Sequence, residues 1–230
     1  MNTLSLFASV EAAAPSLAGN QLQLMGLMAA LSLVPFAVVM LTSFSKFSVV
    51  LSMVRSALGT QQAPPTMVLT GLAAVLTAHV MAPTFEQMWV VGKPRLHEGA
   101  PTSELLSAAG EALEPLRQFL EKHGSPEERA RFVDMARELR TPEQASLVGE
   151  SDLMIVVPAF VITELREAFI IGFLIFLPFL VLDMLIANIL LALGMQSLSP
   201  AQVSLPFKIL LFVAVDGWSL LAHGLIQGYR

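Results

Sequence analysis

The pattern of apolar and polar positions divides the chain into long uncharged runs around one charged stretch. Leu22 to Leu41 is twenty residues without a charge, the length that crosses a hydrocarbon core, and Pro35 within it predicts a kinked helix. Thr42 to Leu58 is more polar. Lys46, Ser52 and Arg55 do not fall on one stripe, so this continuation is expected to pack on protein rather than on lipid. Gly59 suits the left-handed position that ends a helix, and Gln61-Gln62-Ala63-Pro64-Pro65 reads as a turn because each proline disfavours helix in the residue before it. Thr66 to Trp89 is a second long apolar helix, with Pro83 near its end.

The middle of the chain follows another rule. Leu105, Ala109, Leu113, Leu116 and Leu120 recur at helical spacing around Pro115, as do Phe132, Val133, Ala136 and Leu139, which predicts short amphipathic helices over 101–121 and 126–140. Ser125-Pro126-Glu127-Glu128 and Thr141-Pro142-Glu143-Gln144 place an N-cap hydroxyl before proline with Glu or Gln at N3, the spacing of a capping box. The apolar pattern then resumes. Leu153 to Ile162, around Pro158, is too short to cross a bilayer alone. Thr163-Glu164-Leu165-Arg166-Glu167 interrupts it, and Ala168 to Leu193 continues around Pro178 and Asp183 to a stop at Gly194. Ser199-Pro200-Ala201-Gln202 repeats the capping pattern and opens a last helix to about Gln227, with Pro206 inside. Each apolar half is therefore expected to be a helical hairpin of proline-broken helices, since each proline leaves a carbonyl that needs a partner other than lipid.

Composition sharpens this picture. Of 230 residues 55% are apolar and 13% charged, about half the charge of a soluble domain. Mean hydropathy is +0.69. Of the 31 Asp, Glu, Lys and Arg residues, 20 lie between Val91 and Asp152. The chain reads as an all-α membrane protein with four parts: an N-terminal segment 1–20, a first apolar hairpin 21–90, a charged extramembrane helical insert 91–152, and a second apolar hairpin 153–230. No Lys or Arg precedes the apolar stretch at the N-terminus, so no cleaved secretory signal is expected. A net charge of −5 disfavours a nucleic-acid partner. The absence of cysteine excludes disulfides, zinc–thiolate sites, iron–sulfur clusters and cysteine nucleophiles.

No phosphate loop, His-Glu-x-x-His or Gly-x-Ser-x-Gly pattern occurs, and His79, His97, His123 and His223 have no ligand spacing. Neither catalysis nor a cofactor is expected. The informative residues are the ionisable ones in the apolar halves: Lys46, Arg55, Glu86, Glu164, Arg166, Glu167, Asp183, Lys208 and Asp216. Charge at membrane depth is costly, so such residues face protein or water and pair with one another. Inter-helix or inter-subunit ion pairs, the polar lining of a conduit, and a proton or substrate relay all stay open. A hairpin–insert–hairpin layout also leaves room for a small-solute or ion secondary transporter built from repeats, although nothing in the second half matches Gly59-Thr60-Gln61-Gln62.

Several segments together carry a resemblance. Leu41-Thr-Ser-Phe-Ser-Lys-Phe47, Arg55-Ser-Ala-Leu-Gly-Thr-Gln-Gln-Ala-Pro-Pro65, Pro158-Ala-Phe-Val-Ile-Thr-Glu-Leu-Arg166, Leu193-Gly-Met195, Ser204-Leu-Pro-Phe-Lys208 and Val215-Asp-Gly-Trp218 resemble the FliP/SctR family. These are inner-membrane export-apparatus components of flagellar and virulence type III secretion systems, and Thr42-Ser-Phe-Ser-Lys-Phe47 looks more like the virulence branch. The resemblance implies a ring-like helical oligomer, a pentamer, with SctS/FliQ-type and SctT/FliR-type subunits around a gated pore for unfolded secreted proteins. It also implies neighbours of the SctU/FlhB and SctV/FlhA types, a periplasmic insert, and an assembled complex lying largely on the periplasmic side of the bilayer plane. The family's pore constriction maps to Met195 and Gln196, where the usual run of methionines is missing. The remaining functional set is the group of polar contacts at Lys46, Arg55, Glu164, Arg166, Glu167, Asp183, Lys208 and Asp216.

Overall fold

The computed structural model describes residues 25–26, 28–29, 31–60, 62–93, 107–108 and 110–230. Expectations for the N-terminal segment, for the start of the first apolar run, and for Leu105, Ala109 and the opening of the insert lie outside these residues. The chain divides into two compact units, Met1–Val39 and Met40–Arg230. In the first, the described helical residues include 31–39, which run through Pro35 without interruption. The interruption falls instead at residues 41–43.

The helices are α1 (Leu31–Met40), α2 (Phe44–Ala57), α3 (Thr66–Gly92), α4 (Glu114–His123), α5 (Pro126–Glu138), α6 (Pro142–Ala145), α7 (Leu153–Ala192), α8 (Pro200–Ala214) and α9 (Gly217–Gln227). No strand occurs among the described residues. Within the second unit α7 is the spine, and α2, α4, α5 and α8 all pack on it. On α2 the residues Phe47, Val50, Leu51 and Val54 repeat at three- and four-residue spacing and are at most 1% exposed. They meet Val156, Phe160 and Ala168 of α7, Met81 of α3 and Leu120 of α4 in one core. Each such side chain contributes about 1.5–3 kcal/mol relative to exposure, so α2 is held by protein. Gly172 lets α2 approach α7 closely, since a Cβ there would lie 2.3 Å from the Met53 sulfur. A second, smaller cluster, Val133, Val148 and Ile155, joins α5 to the start of α7.

Three expectations are corrected. First, the second half does not break at its prolines. Pro158 and Pro178 both lie inside α7, one helix of 40 residues, and Thr163 to Glu167 continue it. A proline removes one N–H and crowds one carbonyl, but the turns around it remain bonded and the packed neighbours hold the axis. Second, the expected last helix is two. Asp216 takes a left-handed conformation (φ 51°, ψ 51°) and bends α8 and α9 apart by 60°. Gly217 is required just there, because a Cβ would meet the Phe212 ring at 2.3 Å. Third, none of the three capping boxes closes. Ser125, Thr141 and Ser199 precede helices with proline in the first turn, yet none makes a side-chain cap bond. At the first, Glu128 is taken by Arg131 at 3.1 Å. The Ser125 N–H instead donates to Thr163 Oγ1 at 2.9 Å.

The glycine stops hold as placed. Gly59 (φ +76°) and Gly194 (φ +72°) are left-handed. After α7 the Gly194 N–H donates to Leu191 O (3.0 Å) and the Met195 N–H to Leu190 O (2.9 Å), the paired bonds of a Schellman stop. By length and composition α3 and α7 suffice to cross a membrane, and the pairs α1–α2 and α8–α9 do so if each is one span.

Candidate functional site

The ionisable residues of the apolar halves gather at two nodes. The first forms where α2 crosses α7. Lys46 is 3% exposed and Glu164 not at all. The Lys46 ammonium lies 2.8 Å from Glu164 Oε1 and 2.7 Å from Glu167 Oε2. Glu164 and Glu167 are three apart on one helix, so both carboxylates reach the same cation. The Tyr229 hydroxyl donates to Glu164 Oε2, and the ammonium sits 4.2 Å from the centre of the Tyr229 ring, close enough for a cation–π contact. That ring packs edge-on against Phe47 and stacks on Phe119. A buried cation is thereby given two carboxylates and an aromatic face. Tyr229 joins α2, α4 and α7 at one point.

The second node holds the other end of α7. Lys208 of α8 is 4% exposed and donates to Asp183 Oδ2 at 2.6 Å. It also donates to Ala57 O at 3.3 Å, one of the carbonyls that the end of α2 leaves open. Ser204 Oγ donates to Asp183 Oδ1 at 2.5 Å. One lysine therefore ties the end of α2 to the later half of α7 and to α8. The Gly59 turn lies beside it, where a Cβ would stand 3.8 Å from Lys208 Nζ.

Other expected contact residues lie elsewhere. Arg55 donates to Thr66 Oγ1 at 2.8 Å and bridges the Gln62–Pro65 turn. Arg166 is exposed and makes no ion pair among the described residues. Asp216 is also exposed; its part in the structure is the bend before α9, where its carbonyl accepts the Leu220 N–H at 3.1 Å. Met195 and Gln196 occupy the exposed tip between α7 and α8, Met195 being 43% exposed. Tyr229, Ser204 and Thr163 were not singled out in the sequence. The signal for Tyr229 was that it is the only tyrosine in the chain, placed in an otherwise apolar half.

Residues 27–225 match the model of the FliP family. This chain belongs to the FliP family. Among its relatives, the hypersensitivity response secretion protein HrcR of Ralstonia nicotianae is 43% identical over 203 residues, covering 87% of this chain and 94% of that one. The Yop proteins translocation protein R of Yersinia pestis is 42% identical over 224 residues, 91% of this chain and 97% of its own. The flagellar biosynthetic protein FliP of Caulobacter vibrioides is 46% identical over 209 residues, 90% and 76% of the two chains. Both nodes lie within the FliP match except for Tyr229. FliP-family proteins are components of type III secretion export apparatus, a role in protein transport rather than a known enzyme activity.

Proposed function

We propose that this chain is a core subunit of a virulence-type III secretion export apparatus in the bacterial inner membrane. Several copies, five in a ring, pack with smaller SctS- and SctT-type subunits around a gated conduit for unfolded proteins, next to SctU- and SctV-type components. The observation that supports this most is the division of labour along α7. Its charges at Glu164 and Asp183 are paired inward within the chain. Phe169, Phe173, Leu174, Val181, Met184 and Leu185 are meanwhile exposed. A unit whose buried charges are paired and whose outer face is apolar is built to be covered by other helices and by lipid.

Met195 and Gln196 are the proposed constriction. The Schellman stop projects a short loop from the α7–α8 hairpin, and a ring of such loops would converge on an axis. A thioether fills irregular gaps, and an apolar constriction blocks ions by dewetting. The test has two stages. Tagged chain should purify as a large oligomer with the smaller export subunits, and the complex in planar bilayers should be closed to ions. Met195→Ala combined with Gln196→Ala should raise the ion leak at equal complex levels. A chain that purifies only as a monomer or dimer refutes the subunit reading. Unchanged leak in an intact complex moves the constriction away from this loop.

A further inference from the structure

We infer that, in the assembled ring, the groove between α3 and α4 receives the apolar end of α5 from a second copy of this chain. The groove holds about 780 Å³, in the upper part of the range of about 300–1,000 Å³ that binding clefts occupy. Pro83, Val90 and Val91 of α3 and Pro115 of α4 give it apolar walls. These walls are open: Val90 is 68% exposed, and Phe85 and Trp89, on the same stretch of α3, are exposed with it. Glu86, Glu111 and Glu114 stand around them. Glu114 holds Arg117 at 2.8 Å, and Glu111 is engaged within the chain. Glu86 is exposed and enters no ion pair among the described residues. One carboxylate beside an apolar groove is thus left for a cation from elsewhere.

The complement lies on another face of the same chain. Met135 of α5, Leu139 just after it and Met154 of α7 line one surface together with Arg140. Leu139 and Met154 are 88% and 77% exposed. Large apolar side chains left open together at the charged insert mark a contact with protein. The charge on this surface is positive. Arg140 donates to Ala136 O at 3.1 Å and enters no ion pair among the described residues. Asp152, which lines the adjoining hollow with Arg140, accepts the Gly149 N–H at 2.9 Å. Groove and α5 end therefore match twice, apolar against apolar and guanidinium against carboxylate, and matched charge fixes the register of such a contact.

The two faces share no residue. Within the chain α4 packs on α3 and α7, whereas α5 packs on α7 and α6. A contact between two different faces is heterologous: each copy gives its α5 end to the next and takes one in its own groove, and such a series closes into a ring when the rotation allows. A groove facing its own copy would set Glu86 against Glu86, which like charge opposes. The contact rests on the assembly reading given above and names the surfaces that would carry it.

The test uses the full chain, which has no cysteine, in complex with the smaller export subunits. Glu86→Cys and Arg140→Cys, both at exposed positions, are placed in one chain and the complex is treated with a short bismaleimide. This pair should give a ladder of covalent multimers, and the pair Glu86→Cys with Glu127→Cys, at the far end of α5, should give none. Dimers from Glu86→Cys alone would mean that the groove meets itself, and would overturn the contact. Charge exchange is the second readout. Glu86→Arg and Arg140→Glu should each lower the yield of large oligomer about five-fold, the upper end for an exposed ion pair, and the two together should restore it. If Arg140→Glu does not repair Glu86→Arg, the groove takes a different partner and the second copy is the wrong occupant. An intact oligomer with no ladder and no response to either charge overturns this contact and leaves the subunit reading standing. A wild-type chain that never forms the oligomer defeats both.

Discussion

The node at Lys208 makes an asymmetric prediction. Breaking a buried ion pair from one side costs about 3–5 kcal/mol, because the other charge is left without compensation. Here the two sides are not equivalent. The Lys208 side chain is 5% exposed and that of Asp183 32%. Removing the lysine by Lys208→Met leaves Asp183 with the Ser204 hydroxyl and with partial access to water, so the loss should lie at or below the lower end, about 3 kcal/mol. Removing the carboxylate by Asp183→Ala leaves a buried ammonium with only Ala57 O at 3.3 Å, and the loss should approach about 5 kcal/mol. The double variant removes both charges and should recover much of the stability, since replacing a whole buried pair by apolar groups is often close to neutral. The assay is the yield and melting temperature of the tagged chain in detergent, followed by Trp fluorescence, with the two singles and the double compared as a cycle. The reasoning is refuted if Lys208→Met is as damaging as Asp183→Ala, or if the double is worse than either single.

Other predictions follow from the same geometry. Tyr229→Phe keeps the ring contacts but takes the hydroxyl from Glu164, and should cost about 1–3 kcal/mol; Tyr229→Ala also loses the packing against Phe47 and Phe119 and should cost about 3–5 kcal/mol, both read as melting temperature in detergent. His123 is held neutral in the fold, down at about 4 from 6.5, so above pH 6.5 it contributes no pH dependence. As pH falls from 6.5 toward 4 the unfolded chain takes up the proton first and stability is lost; the difference in melting temperature between wild type and His123→Gln should change over that window and be constant above it. Asp216→Gly should melt at or above wild type, whereas Asp216→Val should lose about 1–2 kcal/mol because a β-branched residue is forced into the left-handed region.

How much of this was legible in the sequence depended on whether the determinant was local. Gly59 and Gly194 were readable as helix stops because a left-handed residue needs nothing from the rest of the fold. The charges that would need partners were readable too, because a charge in an apolar run is costly wherever the run packs. Which charges meet was not: Lys46 and Glu167 are 121 residues apart, and no spacing rule reaches that far. Local signals also misled where tertiary contacts outbid them. Pro158 is a helix breaker by propensity, yet it sits in a segment that buries Ile155, Val156, Ala159 and Phe160, and that burial outweighs one missing hydrogen bond. Glu128 had the spacing of a capping partner and was drawn forward to Arg131. Asp216 carried a charge and so read as a contact, whereas its value is a short side chain that tolerates a left-handed backbone.

The length of α7 carries the last step. Forty residues at 1.5 Å each make a helix of about 60 Å, about twice the hydrocarbon thickness of a bilayer. It cannot all be a span. Its first part is fastened to the insert: Ile155 packs with Val133, Phe160 meets Phe119 at 5.8 Å, and Glu164 is fixed by Lys46 and Tyr229. Beyond Glu167 the helix carries one charge, Asp183, already paired, and shows an apolar outer face. If α7 crosses a bilayer, the second part is the proposed span, and the first part is the one that packs against the insert. Between the Lys46 node and the Lys208 node α7 stays one helix, with Pro178 the position where its ladder lacks a bond, and α2 is tied at both nodes. A displacement of the insert would move α2 and the first half of α7 as one body, and would reach the Met195 loop as a tilt of the hairpin rather than as a local unfolding. Whatever opens the proposed constriction would then have to act on the hairpin as a lever, with its far end at the insert.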